Sequence, residues 1–179
     1  MEFRELELQG CWLAQTEIFH DSRGSFREFF KYNSFSDVSG IPFHIAQANT
    51  SISTINVIRG IHYSTAVQGQ AKWVTCLKGK INDVAVDLRA GSITYGQWIS
   101  VELTPDNGRS LYIGEGFGHG FSTLEPESIV AYLLSSEYLP GDEFGINPLD
   151  SNLSIDWRLE IDTPILSDKD LNAPNFSLT

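Results

Sequence analysis

Positive charge is scarce in this chain: 12 Lys and Arg stand against 23 Asp and Glu in 179 residues, a formal net charge of -11. A field of that sign repels polyanions, which excludes nonspecific binding to nucleic acid or to an anionic membrane surface. An anionic small ligand needs local cations, so Arg23, Arg59 and Lys72 carry more weight here than in a basic protein. Cysteine is scarce as well. Cys11 and Cys76 form no C-x-x-C motif, so neither a disulfide framework nor a zinc ribbon is indicated, and a reducing cytoplasm is the expected setting. No apolar run reaches the length of a transmembrane helix, and the opening Met1 to Leu8 is acidic without an apolar h-region, so a soluble, uncleaved chain is expected. There is no G-x-G-x-x-G, no P-loop and no G-x-S-x-G elbow, which leaves no nucleotide-redox cofactor implied. His20, His44, His62 and His119 show no H-x-H spacing, so a metal centre is disfavoured.

What the chain has is aromatic and strand-forming residues. Eleven Phe, six Tyr and four Trp, with 41% hydrophobic content overall, are enough for one well-buried core and favour strands, so a single all-β domain over residues 1–179 is expected. Turn signals recur at Asp21-Ser22-Arg23-Gly24, Ser39-Gly40-Ile41-Pro42, Lys78-Gly79-Lys80, Ala90-Gly91-Ser92 and Pro105-Asp106-Asn107-Gly108. Between them Trp73 to Leu77 and Ile81 to Leu88 read as a hairpin, the second strand half-buried by the alternation of Val84, Val86 and Leu88 with Ala85 and Asp87. Ile99, Val101 and Leu103 alternate in the same way, and short runs follow at Leu111 to Ile113, Phe121 to Leu124 and Ile129 to Leu134. Regular short strands imply a sandwich or barrel, with helix only in small pieces: one after Asn33, capped by Asn33 or Ser34, and one near Ser167 to Leu171. A roll of strands with polar residues turned inward makes a rigid pocket.

A few polar groups interrupt the strand runs. His62 follows Arg59-Gly60 in a strand pattern, and an imidazole with an ordinary pKa of about 6.5 suits proton transfer if something nearby stabilises the resulting anion. Taken alone it is more often a hydrogen-bonded structural histidine. Asp170 is a candidate to orient that ring, but Ser167, Asp168 and Asp170 also read as the cap and first turn of a short helix. Tyr132 shares a strand face with Val130 and Leu134, so it is either a core aromatic or a cavity hydroxyl. Lys72 opens a strand between Ala71 and Trp73, as a solvated end or as a cation held for an enolate. His119 between Gly118 and Gly120 marks a close approach or a turn.

The segments DSRGSFREFF, QANTS, RGIHY, QAKWVTCLKGKINDVAVDLR, TYGQW, GEGFGHGF and LSDKD stand in an order that resembles the dTDP-4-dehydrorhamnose 3,5-epimerases and related epimerases of nucleotide-linked 4-keto-6-deoxy sugars, from about Phe19 to Pro174. The resemblance implies a cupin-like jelly-roll barrel, a homodimer, a nucleotide-diphosphate sugar substrate, and no metal or organic cofactor. By motif it implies His62 as general base, Asp170 as its partner, Tyr132 as proton donor and Lys72 as the cation on the C4 oxygen. Arg23, Glu28, Gln47, Asn49 and Arg59 correspond to ligand-contacting positions, as do His119, Glu143 and Lys169. Phe26 and Tyr138 correspond to pocket walls. Ser64 in place of a common Gln, Gly114 in place of a common Pro, the segment INPLD and the Ser64 to Gln70 loop depart from the family pattern, which leaves open whether C3, C5 or both are inverted. The other readings are a non-catalytic sugar-binding jelly roll and a metal-dependent cupin isomerase or dioxygenase.

Overall fold

The computed structural model describes residues 1–66 and 69–177. Among them the chain forms β1 (Glu2–Glu5), β2 (Cys11–Gln15), β3 (Phe19–Asp21), β4 (Gly24–Phe26), α1 (Tyr32–Ser39), β5 (Gln47–Ser53) and β6 (Ile58–Ser64). There follow β7 (Lys72–Lys78), β8 (Ile81–Asp87), β9 (Trp98–Leu103), β10 (Arg109–Ile113), β11 (Phe117–Thr123), β12 (Ser128–Leu134), β13 (Glu143–Gly145) and α2 (Asp168–Leu171). The strands make one sheet in the order β1-β2-β10-β7-β12-β5 and another in the order β13-β6-β11-β8-β9. This is an all-β, cupin-like jelly roll, and its sheets are not closed into a barrel. The hairpin β3–β4 forms a third, two-stranded sheet.

Three apolar clusters explain which way the strands face. Val74, Cys76 and Val130 of the first sheet meet Ile81, Ala85 and Phe121 of the second between the sheets. Val84 and Val86, on the other face of β8, are covered by Leu153, Trp157 and Phe176 of the C-terminal stretch. On the outer face of the first sheet Trp73 and Tyr112 are covered by Phe35 of α1 and by Phe43. The ring of Phe35 stands edge-on to Trp73 with centroids 5.3 Å apart, and the Trp73 indole N–H donates to Phe29 O at 2.9 Å. Removing a buried aromatic of this size costs about 3–5 kcal/mol, so Trp73 ties the covering segment to the sheet behind the cavity.

Three local expectations are corrected. Trp73–Leu77 and Ile81–Leu88 are strands but not a hairpin: β7 pairs with β10 and β12, β8 with β11 and β9, and Lys78-Gly79-Lys80 carries the chain from one sheet to the other. Strand β8 is not half-buried; all of Ile81–Asp87 is buried, because the C-terminal stretch seals the face that alternation would leave to water. Helix α1 starts at Tyr32 after Lys31, whose side chain makes no cap hydrogen bond, so the packing of the fully buried Phe35 rather than an Asn33 or Ser34 cap places it. The second helix is as expected, with Ser167 Oγ accepting from the Asp170 N–H.

Candidate active site

A cavity of about 780 Å³ opens between the two large sheets, within the size range that small-molecule sites occupy. The second sheet supplies His62 and Arg59 from β6, His119 from β11 and Glu143 from β13. The first sheet supplies Lys72 from β7, Tyr132 from β12 and Gln47 and Asn49 from β5. The imidazole of His62 and the phenol of Tyr132 therefore reach one space from opposite walls. Strand register sets the neighbours: His62 stands across from His119, Tyr132 across from Asn49, and Lys72 across from Leu134. The tight approach of β6 to β11 rests on glycine, since a Cβ on Gly60, at φ +109°, would lie 2.5 Å from His119 O.

Two imidazole–carboxylate pairs face the cavity. His62 Nε2 lies 2.6 Å from Asp170 Oδ1, and α2 presents that carboxylate at its buried turn. Burial alone would raise the Asp170 pKa, but the His62 hydrogen bond and charge, with the Ser167 hydroxyl and the Gly60 N–H, outweigh it and bring it below the ordinary carboxylate value. The second pair is His119 Nε2 and Asp83 Oδ1 at 2.8 Å. Here burial dominates and pulls the His119 pKa down despite Asp83. Lys72 is buried, and burial brings its ammonium down to about 8; Glu143 and Asp83 oppose that shift and Lys169 adds to it. Burial raises the Tyr132 phenol, against a hydrogen bond from Asn49.

The predicted residues divide by location. His62, Asp170, Tyr132 and Lys72 line the one cavity, and Gln47, Asn49, Arg59, His119, Tyr138 and Glu143 line it with them. The Arg59 guanidinium is held by Ser53 Oγ at 2.9 Å and Ile52 O, neither of which neutralises it. Lys169 adjoins the cavity through Glu143, with Nζ 2.6 Å from Oε1. Arg23, Phe26 and Glu28 are not among the residues that line it. Arg23 and Phe26 sit on the β3–β4 hairpin, which pairs only with itself, and Glu28 follows it. Arg23 is bound to Asp21 and Glu28 to Lys31, and Phe26 is 65% exposed. The solvated reading of Lys72 and the turn reading of His119 are also corrected, since Lys72 is buried and His119 lies inside β11. Asp83 was not singled out, although an Asp within the apolar run of β8 was a visible signal. Asp87 of the same strand explains the difficulty: its carboxylate is taken up by Arg89, Ser92 and Thr94 in a structural turn.

Of the departures from the family pattern, Ser64, Gly114 and the INPLD segment fall outside the lining. Ser64 stands across from Glu143 but turns its Oγ to the Ala66 N–H. Gly114 lies against Gly10, where a Cβ would meet Gly10 O at 2.9 Å, and Ile146 packs in the outer cluster under β8. None of these shapes the cavity wall. Part of the Ser64 to Gln70 loop, residues 67 and 68, lies outside the described residues; Gln70 does reach the cavity. Among the described residues no three His, Cys, Asp or Glu side chains gather as a metal ion requires, and no helix is long and apolar enough to cross a membrane.

A jelly roll that sets an imidazole and a phenol around one cavity, with an ammonium beside them, holds the groups that an isomerase moving protons beside a carbonyl needs. The family model described as dTDP-4-dehydrorhamnose 3,5-epimerase matches residues 5–177, and the chain belongs to that family. A dTDP-4-dehydrorhamnose 3,5-epimerase of Streptomyces griseus is 44% identical over 174 residues, covering 97% of this chain and 86% of the relative. A dTDP-4-dehydrorhamnose 3-epimerase of Streptomyces niveus is 43% identical over 173 residues, covering 97% and 83%. The crystal structure of a dTDP-6-deoxy-D-glucose-3,5-epimerase from Legionella pneumophila in complex with dTDP-4-keto-L-rhamnose aligns with a TM-score of 0.92 at 38% identity, covering 97% of this chain and 92% of that one.

Proposed function

We propose that this chain is a single-domain, cofactor-independent epimerase of a dTDP-linked 4-keto-6-deoxyhexose that inverts the carbon next to the ketone, at C3 alone or at C3 and C5. The observation that carries it is the placing of His62 and Tyr132 on opposite sheets around one cavity with Lys72 beside them. His62 removes the proton on the carbon beside C4; the C–H pair moves into the ring and the charge comes to rest on the C4 oxygen, where the Lys72 ammonium stabilises it. Asp170 stabilises the imidazolium that results. Tyr132 then gives its proton to the same carbon from the other side, the ketone re-forms, and configuration is inverted. Arg59 and Lys169 offset the diphosphate against the acidic bulk of the chain. Neither a mere sugar binder nor a metal cupin draws support from the relatives named above, which are all epimerases.

A homodimer accounts for Arg23, Phe26 and Glu28. The hairpin that holds the first two stands apart with Phe19 and Phe26 53% and 65% exposed, a costly display unless a second copy covers it. In that assembly each copy lends its hairpin to the other's cavity. The expected setting is the cytoplasm, consistent with the free thiols of Cys11 and Cys76.

Incubation with dTDP-4-keto-6-deoxyglucose in deuterated water tests the activity: solvent deuterium at C3 and C5 marks a 3,5-epimerase, at one carbon a mono-epimerase, and at neither contradicts the reading. Mixing Arg23→Ala with His62→Asn protein tests the shared site. Recovered activity in the mixture supports it, and an inactive mixture of folded dimers opposes it.

A further inference from the structure

Buried serine hydroxyls in this protein reach backbone carbonyls: Ser110 Oγ donates to Phe29 O at 3.4 Å, Ser122 Oγ to Trp157 O at 2.6 Å and Ser128 Oγ to Glu125 O at 2.8 Å. Ser51 does not follow them. Its Oγ is enclosed and has no hydrogen-bond partner, the only hydroxyl so placed among the described residues. The other enclosed side-chain atoms without a partner, on Trp12, Arg27, Asn82 and Asp83, belong to residues that do not line the cavity, whereas Ser51 lines it. An enclosed hydroxyl that bonds to nothing weakens a fold, so its place in the cavity wall points to a bond made when ligand is bound.

Strand register indicates which part of the ligand that is. Gln47, Asn49, Ser51 and Ser53 stand on one face of β5. Asn49 is directly across the ladder from Tyr132, and Ser53 Oγ accepts from Arg59 Nε at 2.9 Å while Arg59 Nη2 donates to Ile52 O at 3.3 Å. Ser51 therefore lies along the strand between the phenol that works on the sugar and the guanidinium that meets the diphosphate. In a nucleotide-diphosphate sugar the group that joins those two places is the phosphate attached to the hexose. A serine oxygen has three staggered positions about its Cα–Cβ bond, so the hydroxyl can swing to a ligand without movement of the strand.

We infer that the Ser51 hydroxyl donates a hydrogen bond to the sugar-linked phosphate beside Arg59, and so helps to set how far the hexose reaches toward His62 and Tyr132. Arginine supplies the charge there, and serine supplies a short donor fixed to a strand. Ser51 is then a substrate-contacting residue that the sequence motifs did not single out. This rests on the epimerase reading, which supplies the nucleotide-diphosphate sugar.

Ser51→Ala removes one oxygen and adds nothing. The probes are dTDP, whose outer phosphate takes the place of the sugar-linked one, and thymidine monophosphate, which lacks it. Calorimetric affinities for both are compared between the variant and the unaltered protein, so that any general loss of binding cancels in their ratio. Affinity for dTDP is expected to fall about tenfold or more relative to that for the monophosphate, as for loss of a hydrogen bond to a charged group. The thermal unfolding midpoint of the ligand-free variant is expected to be no lower than that of the unaltered protein, because the lost hydroxyl made no bond there. A hydroxyl that served only the fold would lower the midpoint and leave the ratio alone. An unchanged ratio of affinities, or a lowered midpoint, overturns the assignment of Ser51. Failure of the unaltered protein to bind dTDP at all instead overturns the nucleotide-sugar reading, and so the two failures are distinguishable.

Discussion

The two imidazole–carboxylate pairs of the site differ in how deeply the ring is buried. The His62 side chain is 26% exposed and its Asp170, from α2, is 5% exposed, whereas His119 is 8% exposed and its Asp83 is fully enclosed in β8. A ring with a wet face and a stabilised partner charge can accept a proton and return it; a ring sealed among strands loses more by charging than a carboxylate restores. His62 thus fits the base, and His119 a hydrogen-bonding wall. Two similar histidine–aspartate pairs thus differ in burial, and burial weighs against charging the more enclosed ring.

The largest expected break in this contrast is His62→Asn, which lowers both exchange and inversion about a thousandfold, within the range for loss of a general base. His119→Asn lowers turnover only about tenfold, with much of the loss in KM, if its ring holds rather than reacts. Equal losses would erase the distinction. Between these lies Lys72→Met, expected to cost about a hundredfold in turnover through loss of the charge that meets the enolate. The same lysine sets an alkaline limb. Its acting form is the ammonium, burial brings that group down to about 8, and turnover therefore falls as pH rises through that value. A profile flat to pH 10, about the ordinary lysine range, would mean that the ammonium is not the stabiliser.

The smallest expected effect is on stability. Asp170 has a lower pKa folded than unfolded, so the unfolded chain binds more protons in the acid range. Its contribution is complete above the ordinary carboxylate value of about 3.9 and is lost as pH falls through the lower folded value. Unfolding in urea across that window should show a shallower acid loss for Asp170→Asn than for the unaltered protein. An unchanged slope would mean that the pair adds nothing to the fold.

Much of this site is legible in the sequence because its residues lie in short segments with strong local signatures, as at Arg59 to Tyr63 and Leu166 to Asp170. The strand runs from Ile99, Leu111 and Ile129 were legible for the same reason: alternation is local. What stayed hidden was non-local. The passage of the chain from one sheet to the other at Gly79 looks like any hairpin turn, and the sealing of β8 depends on Trp157 and Phe176, distant in sequence. Asp83 gave a weak signal because its strand also carries Asp87, whose role is structural. Arg23 and Phe26 were recognisable by motif, yet the β3–β4 hairpin that holds them pairs only with itself and does not line the cavity of the single chain.

The claim under all of this is that base and acid work on one carbon from opposite walls. Tyr132→Phe protein incubated with dTDP-4-keto-6-deoxyglucose in deuterated water tests it most directly, by the stereochemistry of the deuterium in the recovered sugar. The predicted result is substrate labelled beside the ketone with its configuration retained, and inverted product reduced about a hundredfold. Inverted, labelled product formed at the rate of the unaltered protein would contradict it.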